Sequence, residues 1–308
     1  MTATVLTFDQ YLTPTTLDGA FDALERIPGA RIVAGATDLL PWARAGRAGD
    51  VHLPALVDVT RIPQLQGVAL AGDRIRMGAT TPIAAFQNHA LLQRQAPVLG
   101  CCAVWFADDQ IREQATVGGN LVNASPAGDS QPALLALNAG VTLARREGGA
   151  IAERSMPLSE FILGPGQTRL QPGEIMTALE VDAVPGHGAA FEKVGHRRSL
   201  VISTVCLAAL VRLDWAGRRI EDCRIAIGAV GPVPQRLADV EVLLAGGVPT
   251  GELVRQAAGL AADRVRSRSR QDYRREVLVN FVERSLAAAL AHAGAAVQRL
   301  PKEEPSHV

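Results

Sequence analysis

The residues of this chain best suited to chemistry lie in the run Ala115-Thr116-Val117-Gly118-Gly119-Asn120, followed by Asp129. Glycine lets a ligand approach the main chain with no Cβ in the way, while Thr116, Asn120 and successive N–H groups can donate to anionic oxygens. The stretch reads as a backbone cradle for a phosphate, and an acid beyond such a turn suits a sugar hydroxyl. A Gly-Gly pair on its own is more often a plain turn. A second glycine loop, Ile32-Val33-Ala34-Gly35-Ala36-Thr37-Asp38-Leu39, opens with a short β-branched run, and two cradles suit a long ligand.

The surrounding patterns position these loops. Thr16 to Leu24 has the apolar recurrence of a helix with threonine as N-cap, and Pro28-Gly29 closes it. Arg31 to Val33 is a short strand, and a helix follows from Leu39 to Ala45, so loop amides and a helix start can face one phosphate. Leu56 to Val59 and Arg74 to Gly78 read as strands, with a hairpin turn at Gly72-Asp73. Ile83 to His89, Pro97 to Ala107 and Pro132 to Asn138 read as helices, and Val141 to Ala144 as a strand. Apolar segments at Val201 to Leu213 and Cys223 to Val230 then alternate with helical patterns at Ala238 to Ala245, Leu253 to Val265 and Val277 to His292. Turn-rich composition from Gly164 to Gly173 places a domain boundary near residue 178.

Taken together, the two loops and Gln110-Ile111-Arg112 resemble the flavoprotein, or medium, subunit of the molybdenum hydroxylases, a family that includes carbon monoxide dehydrogenase and the flavin domain of xanthine dehydrogenase. The resemblance runs from Phe8-Asp9-Gln10-Tyr11 through Ile75-Arg76-Met77-Gly78-Ala79-Thr80-Thr81, Gly173-Glu174-Ile175 and Phe191-Glu192-Lys193 to Ala226-Ile227-Gly228-Ala229-Val230 and Ser269-Arg270-Gln271-Asp272-Tyr273.

It implies an α+β fold: a two-part FAD-binding domain of the PCMH type over 1–178, with subdomains of about 1–55 and 56–178, then a C-terminal sheet-plus-helices domain over 179–295 and a disordered tail over 296–308. It also implies FAD, with Ile32, Val33, Ala34, Gly35, Ala36, Thr37, Asp38 and Leu39 clasping its pyrophosphate together with Thr116, Val117, Gly118, Gly119 and Asn120. Asp129 falls near the cofactor's polyol region. Lys193 matches a lysine beside the isoalloxazine ring, and as a residue on its own it reads equally well as a surface lysine at a strand end. Phe106 and Met176 match ring-side positions, although their residue types suit plain core.

As partners the resemblance implies a small [2Fe–2S] subunit and a large molybdopterin subunit, in a heterotrimer that can pair into a dimer. The role would be to take electrons from the clusters and pass them to a terminal acceptor. A self-contained flavin oxidoreductase and a non-enzymatic FAD-binding module are the rival readings. The sequence departs from the family at Ala36, where many relatives have a second glycine, which is tolerable where its φ stays negative. Where the carbon monoxide dehydrogenase type presents a tyrosine to the flavin, counting from Lys193 lands on Val201.

Composition narrows the classes further. With 308 residues and 48% hydrophobic content the chain can bury a substantial core, and its 31 basic residues balance 31 acidic ones, so no global field draws it to nucleic acid. The start lacks a signal-peptide pattern and no apolar run is long enough to span a bilayer, so a cytoplasmic protein is expected. Cys101, Cys102, Cys206 and Cys223 lack metal or cluster spacing and read as buried free thiols; the cysteine-bearing insertion of some relatives is not visible. The run Arg264 to Arg270, interleaved with Asp263 and Asp272, reads as a solvated helix end or a subunit contact.

Overall fold

The computed structural model describes residues 6–44, 52–197, 201–216 and 218–295, so the tail expected from 296 lies outside the described residues. The chain opens with a parallel sheet in the order β1-β3-β2, built from β1 (Thr7–Leu12), β2 (Arg31–Val33) and β3 (His52–Asp58). Between β1 and β2 runs α1 (Leu17–Arg26), whose N-cap Thr16 accepts from the Gly19 amide at 3.0 Å. Its Leu17, Ala20, Phe21 and Ala23 bury one face among Val57, Val59, Ile62 and Leu65. After β2 the chain turns into α2 (Leu39–Arg44), the expected order of strand, glycine turn and helix.

The second sheet is antiparallel, in the order β4-β5-β10-β6-β7. β4 (Val68–Ala71) and β5 (Arg74–Gly78) form the expected hairpin, closed by Gly72 at φ 65°. Six short helices follow: α3 (Ala85–Asn88), α4 (Ala90–Gln95), α5 (Pro97–Ala103), α6 (Asp109–Gln114), α7 (Val117–Asn123) and α8 (Ser130–Ala136). Then come β6 (Gly140–Glu147), β7 (Ala150–Pro157), α9 (Leu158–Phe161), a small hairpin of β8 (Ile162–Gly164) and β9 (Gln167–Thr168), and β10 (Ile175–Asp182). The helix expected over Pro97 to Ala107 is shorter, ending at Ala103, and Ala107 takes a left-handed φ of 42°.

The third sheet, also antiparallel, joins β11 (Gly188–Val194), β12 (Val205–Leu213), β13 (Ile220–Gly228) and β14 (Gln235–Arg236) in sequence order, followed by α10 (Ala238–Leu244), α11 (Gly251–Gly259) and α12 (Gln271–His292). β12 is buried on both faces, which is why its sequence is an apolar run without alternation. Cys206, Ala208 and Leu210 join Ala189 and Phe191 in a core shared with Leu99 and Cys102 of α5 and Ala133 and Leu134 of α8. On the other face Val205, Leu207, Ala209 and Val211 pack with Val282, Leu286 and Leu290 of α12. Each Val, Leu or Phe side chain so buried contributes roughly 1.5–3 kcal/mol, and the shared core clamps the third sheet to the helices of the second unit.

Residue 178 falls inside β10 and residue 55 inside β3. The sheets change over between Asp58 and Val68 and between Asp182 and Gly188. The turn-rich stretch that suggested 178 belongs to the β8–β9 hairpin and to the turn at Gly173, φ 80°, both of which precede the last strand of the second sheet.

Candidate functional site

β2 delivers the chain to the first loop, where Gly35 meets the turn between α6 and α7. A Cβ on Gly35 would lie 1.8 Å from the Gln114 carbonyl oxygen, so no side chain is possible there. The two glycine stretches, 80 residues apart in sequence, therefore meet backbone to backbone. Ala36 has φ 52°, so the negative φ under which an alanine is tolerated at this position is not met; the left-handed region costs an L-residue about 1–2 kcal/mol. None of the backbone N–H groups of Gly35, Ala36, Thr37, Asp38 and Leu39 has an acceptor among the described residues. Consecutive half-buried amides without partners are the chemistry that anionic oxygens satisfy. Burial raises the Asp38 carboxyl above its ordinary range.

The second stretch folds differently from the expected open loop. Thr116 is the N-cap of α7 and its Oγ1 accepts from the Gly119 amide at 3.1 Å. The Val117 amide donates to the Thr81 carbonyl at 3.0 Å, that of Gly118 to Ala79 at 2.9 Å and that of Asn120 to Thr116 at 2.9 Å. These four amides are thus committed within the protein, and the expectation that they donate in succession to a phosphate is corrected. Neither glycine has a positive φ. They are needed for contact: a Cβ on Gly118 would lie 2.7 Å from the Ala79 carbonyl oxygen and one on Gly119 2.8 Å from Thr116 Oγ1. Asn120 Oδ1 accepts from Ser130 Oγ at 2.6 Å, and its amide NH2 has no partner among the described residues.

Asp129 and Lys193, expected as separate contacts, form a buried ion pair with Nζ to Oδ2 at 2.5 Å and side chains 10% and 3% exposed. Asp129 stands at the start of α8, whereas Lys193 lies on β11. By the two-residue period of a strand, Lys193 shares a face with Ala189 and Phe191, and that face is packed on α5 and α8. The Lys193 ammonium also donates to the Trp105 carbonyl at 3.1 Å, and Ser203 Oγ donates to Asp129 Oδ1 at 2.5 Å. Cys102 Sγ donates to the Asp129 carbonyl at 3.2 Å. Burial pushes the Asp129 carboxyl up while Lys193 and Ser203 pull it down, with burial the larger effect.

Phe106 and Met176 both lie in the core of the second unit, 7% and 5% exposed. The Phe106 carbonyl accepts from Arg112 Nη1 at 2.7 Å, tying the chain before α6 to that helix. Val201 packs over Gly195, where an added Cβ would come within 2.3 Å of Val201 Cγ2. Ser203, the Trp105 carbonyl and the Gln114 carbonyl were not foreseen. Main-chain oxygens carry no residue signature, and Ser203 follows an apolar stretch with no motif around it. The basic run resolves into local contacts: Arg264 pairs with Asp239 at 2.5 Å, and Arg266 donates to the Asp263 carbonyl at 2.6 Å. All four cysteines are free thiols, Cys101 half-buried and the others buried. Among the described residues no group of side chains could hold a metal, and no helix is long and apolar enough to cross a membrane.

Comparison with known proteins identifies the family of the chain. Residues 6–183 match the family described as the FAD binding domain in molybdopterin dehydrogenase, and residues 189–289 match the CO dehydrogenase flavoprotein C-terminal domain. The chain is 31% identical over 285 residues to the 6-hydroxypseudooxynicotine dehydrogenase complex subunit alpha of Paenarthrobacter nicotinovorans, covering 90% of this chain and 91% of that one. It is 29% identical over 299 residues to a putative xanthine dehydrogenase FAD-binding subunit of Escherichia coli, covering 94% and 99%. Among solved structures, carbon monoxide dehydrogenase from Hydrogenophaga pseudoflava superposes with a TM-score of 0.83 at 28% identity, covering 95% of this chain and 99% of that one. With both matched units in order along nearly the whole chain, the protein belongs to the FAD-binding medium subunits of the molybdenum hydroxylase family, of the carbon monoxide and xanthine dehydrogenase type.

Proposed function

We propose that this chain carries FAD as the electron-transfer subunit of a heteromeric, cytoplasmic molybdenum hydroxylase. It takes electrons from the [2Fe–2S] clusters of a small partner subunit and passes them to a terminal acceptor, while hydroxylation takes place on a large molybdopterin subunit. The observation that carries the reading is the row of unpartnered amides from Gly35 to Leu39, set against the α6–α7 turn. When bound, FAD supplies the redox chemistry. The amides of Gly35 to Leu39 hold the pyrophosphate, helped by the free NH2 of Asn120, while the exposed Gly119, with no Cβ, lets the ligand come close.

Asp129 still has acceptor capacity, because each carboxylate oxygen has two lone-pair sites and only one donor is assigned to each. It can therefore accept from a polyol hydroxyl without releasing Lys193. Lys193 places a fixed positive charge in a dry site, where it favours an anionic neighbour more than it would in water. Phe106 and Met176 supply apolar wall. Val104, Trp105 and Ile202, 64%, 43% and 72% exposed, leave apolar surface next to this pair and suit a permanent partner contact.

Stopped-flow absorbance tests the reading. The FAD-loaded subunit alone should stay oxidised when mixed with the complex's organic substrate, and adding the small and large subunits should bring rapid flavin bleaching. Fast bleaching of the isolated subunit by an organic substrate would identify a self-contained oxidoreductase instead.

A further inference from the structure

Resting on the reading above, we infer that Ser203 is a positioning residue that holds the Asp129 carboxylate in the orientation in which it meets both Lys193 and the cofactor. Ser203 lies in the bend before β12 and is 6% exposed, with its Oγ 2.5 Å from Asp129 Oδ1. Lys193 Nζ occupies the other oxygen at 2.5 Å. The carboxylate is thus gripped by one donor on each oxygen, one from β11 and one from the end of the β11–β12 connection.

The Thr204 amide donates to the Val194 carbonyl at 2.7 Å, which fixes the Ser203 backbone to the end of β11. The distance between the serine hydroxyl and Lys193 is thereby set by the sheet itself. Facing the pair from other elements are the Trp105 carbonyl, which accepts from Lys193, and the thiols of Cys102 and Cys206, both fully buried. The Trp105 carbonyl only accepts, the Cys102 thiol is already directed at the Asp129 backbone oxygen, and the Cys206 thiol, which lies beside the Ser203 hydroxyl, is a weaker donor than the hydroxyl.

The consequence is electrostatic. A carboxylate buried to this extent stays ionised only because charged and hydroxyl donors bind it. Without the Ser203 hydroxyl it takes up a proton at higher pH. Lys193 then loses its counter-charge and the polyol loses its anionic acceptor. A serine that merely filled space would lower stability on truncation and leave the pH dependence of cofactor binding where it was.

The test is FAD affinity of the full chain against pH, by flavin fluorescence, for the wild type, Ser203→Ala and Ser203→Thr. Ser203→Ala is expected to bind roughly three- to tenfold more weakly at pH 7, with its acid limb moved up by about one pH unit, and Ser203→Thr should restore both. An unmoved acid limb in Ser203→Ala, or failure of threonine to restore it, overturns the inference. If Ser203→Ala does not fold, Ser203→Cys, a poor donor of similar size, is to show the same upward shift, and an unshifted limb there counts equally against it. A wild type that binds no FAD at any pH would defeat the proposed function itself. The inference would then be judged by infrared spectroscopy of the cofactor-free chain, where the protonated-carboxyl band of Asp129 must appear at higher pH in Ser203→Ala than in the wild type.

Discussion

The backbone of Gly35 rests on the carbonyl of Gln114 so closely that a Cβ there would stand 1.8 Å from the oxygen. This contact brings the loop after β2 against the start of α7, and it orients the unpartnered amides of residues 35–39. The obstacle is main chain, which cannot rotate away as a flexible side chain would.

Gly35→Ala is therefore expected to separate the two loops and weaken FAD binding by about two orders of magnitude or more, on the order of 3 kcal/mol. Isothermal titration of the cofactor-free chain measures it. Affinity within a factor of two of the wild type would place the cofactor elsewhere.

Ala36 holds φ 52° without being glycine. Ala36→Gly relieves that strain and gives back part of the gain as unfolded-state entropy, for a net stabilisation of about 0.5–1 kcal/mol. Scanning calorimetry should show a Tm higher by roughly 1–3 °C, with FAD affinity retained.

The buried pair of Asp129 and Lys193 should behave as a unit. Lys193→Met alone leaves an unpaired buried carboxylate and is expected to cost about 3–5 kcal/mol in denaturant unfolding. The double variant Asp129→Asn with Lys193→Met should cost less than the sum of the two single ones. Strict additivity would mean that the two side chains do not interact in solution.

Asp222 accepts from His187 Nε2 at 3.0 Å and pairs with Arg224 at 2.9 Å. The His187 hydrogen bond and the Arg224 charge hold its carboxyl down at about 2, against the cost of burial. Its folded value lies below its unfolded one, so its contribution is present above about pH 4 and lost as pH falls toward 2. Allowing for solvent screening, that contribution is on the order of 1–2 kcal/mol. Asp222→Asn should lower stability at pH 7 and flatten its acid dependence in urea titrations at stepped pH; an unchanged acid slope would contradict the assignment. His187 leads into β11, so the loss should fall on the connection between the second and third sheets.

Removing the α7 cap by Thr116→Ala frees the Gly119 amide and is expected to cost about 1 kcal/mol of stability. Thr116→Ser should restore it in the same thermal melts.

Much of the fold was legible in local patterns. Thr16 capping α1, the strand at Arg31–Val33 and the Gly72 hairpin are all short-range consequences of side-chain period and turn chemistry. The ordered blocks from Phe8 to Tyr273 pointed to the family, and with it to FAD, which the match over residues 6–183 bears out. The glycines and prolines near 164–173, from which a boundary near 178 was read, lie in a hairpin inside the second unit, and local composition marks a hairpin as strongly as a linker.

The residue types at the site were visible in the sequence; their pairing was decided by tertiary structure. Asp129 and Lys193 are 64 positions apart and meet because β11 turns one face onto α5 and α8, a packing that no local period encodes. Which amides remain free was likewise settled in three dimensions: Thr81 and Ala79 come close enough to take the α7 donors, whereas no acceptor among the described residues reaches those of Gly35 to Leu39. Glycine tells where a backbone can approach, and only the folded chain determines what approaches it.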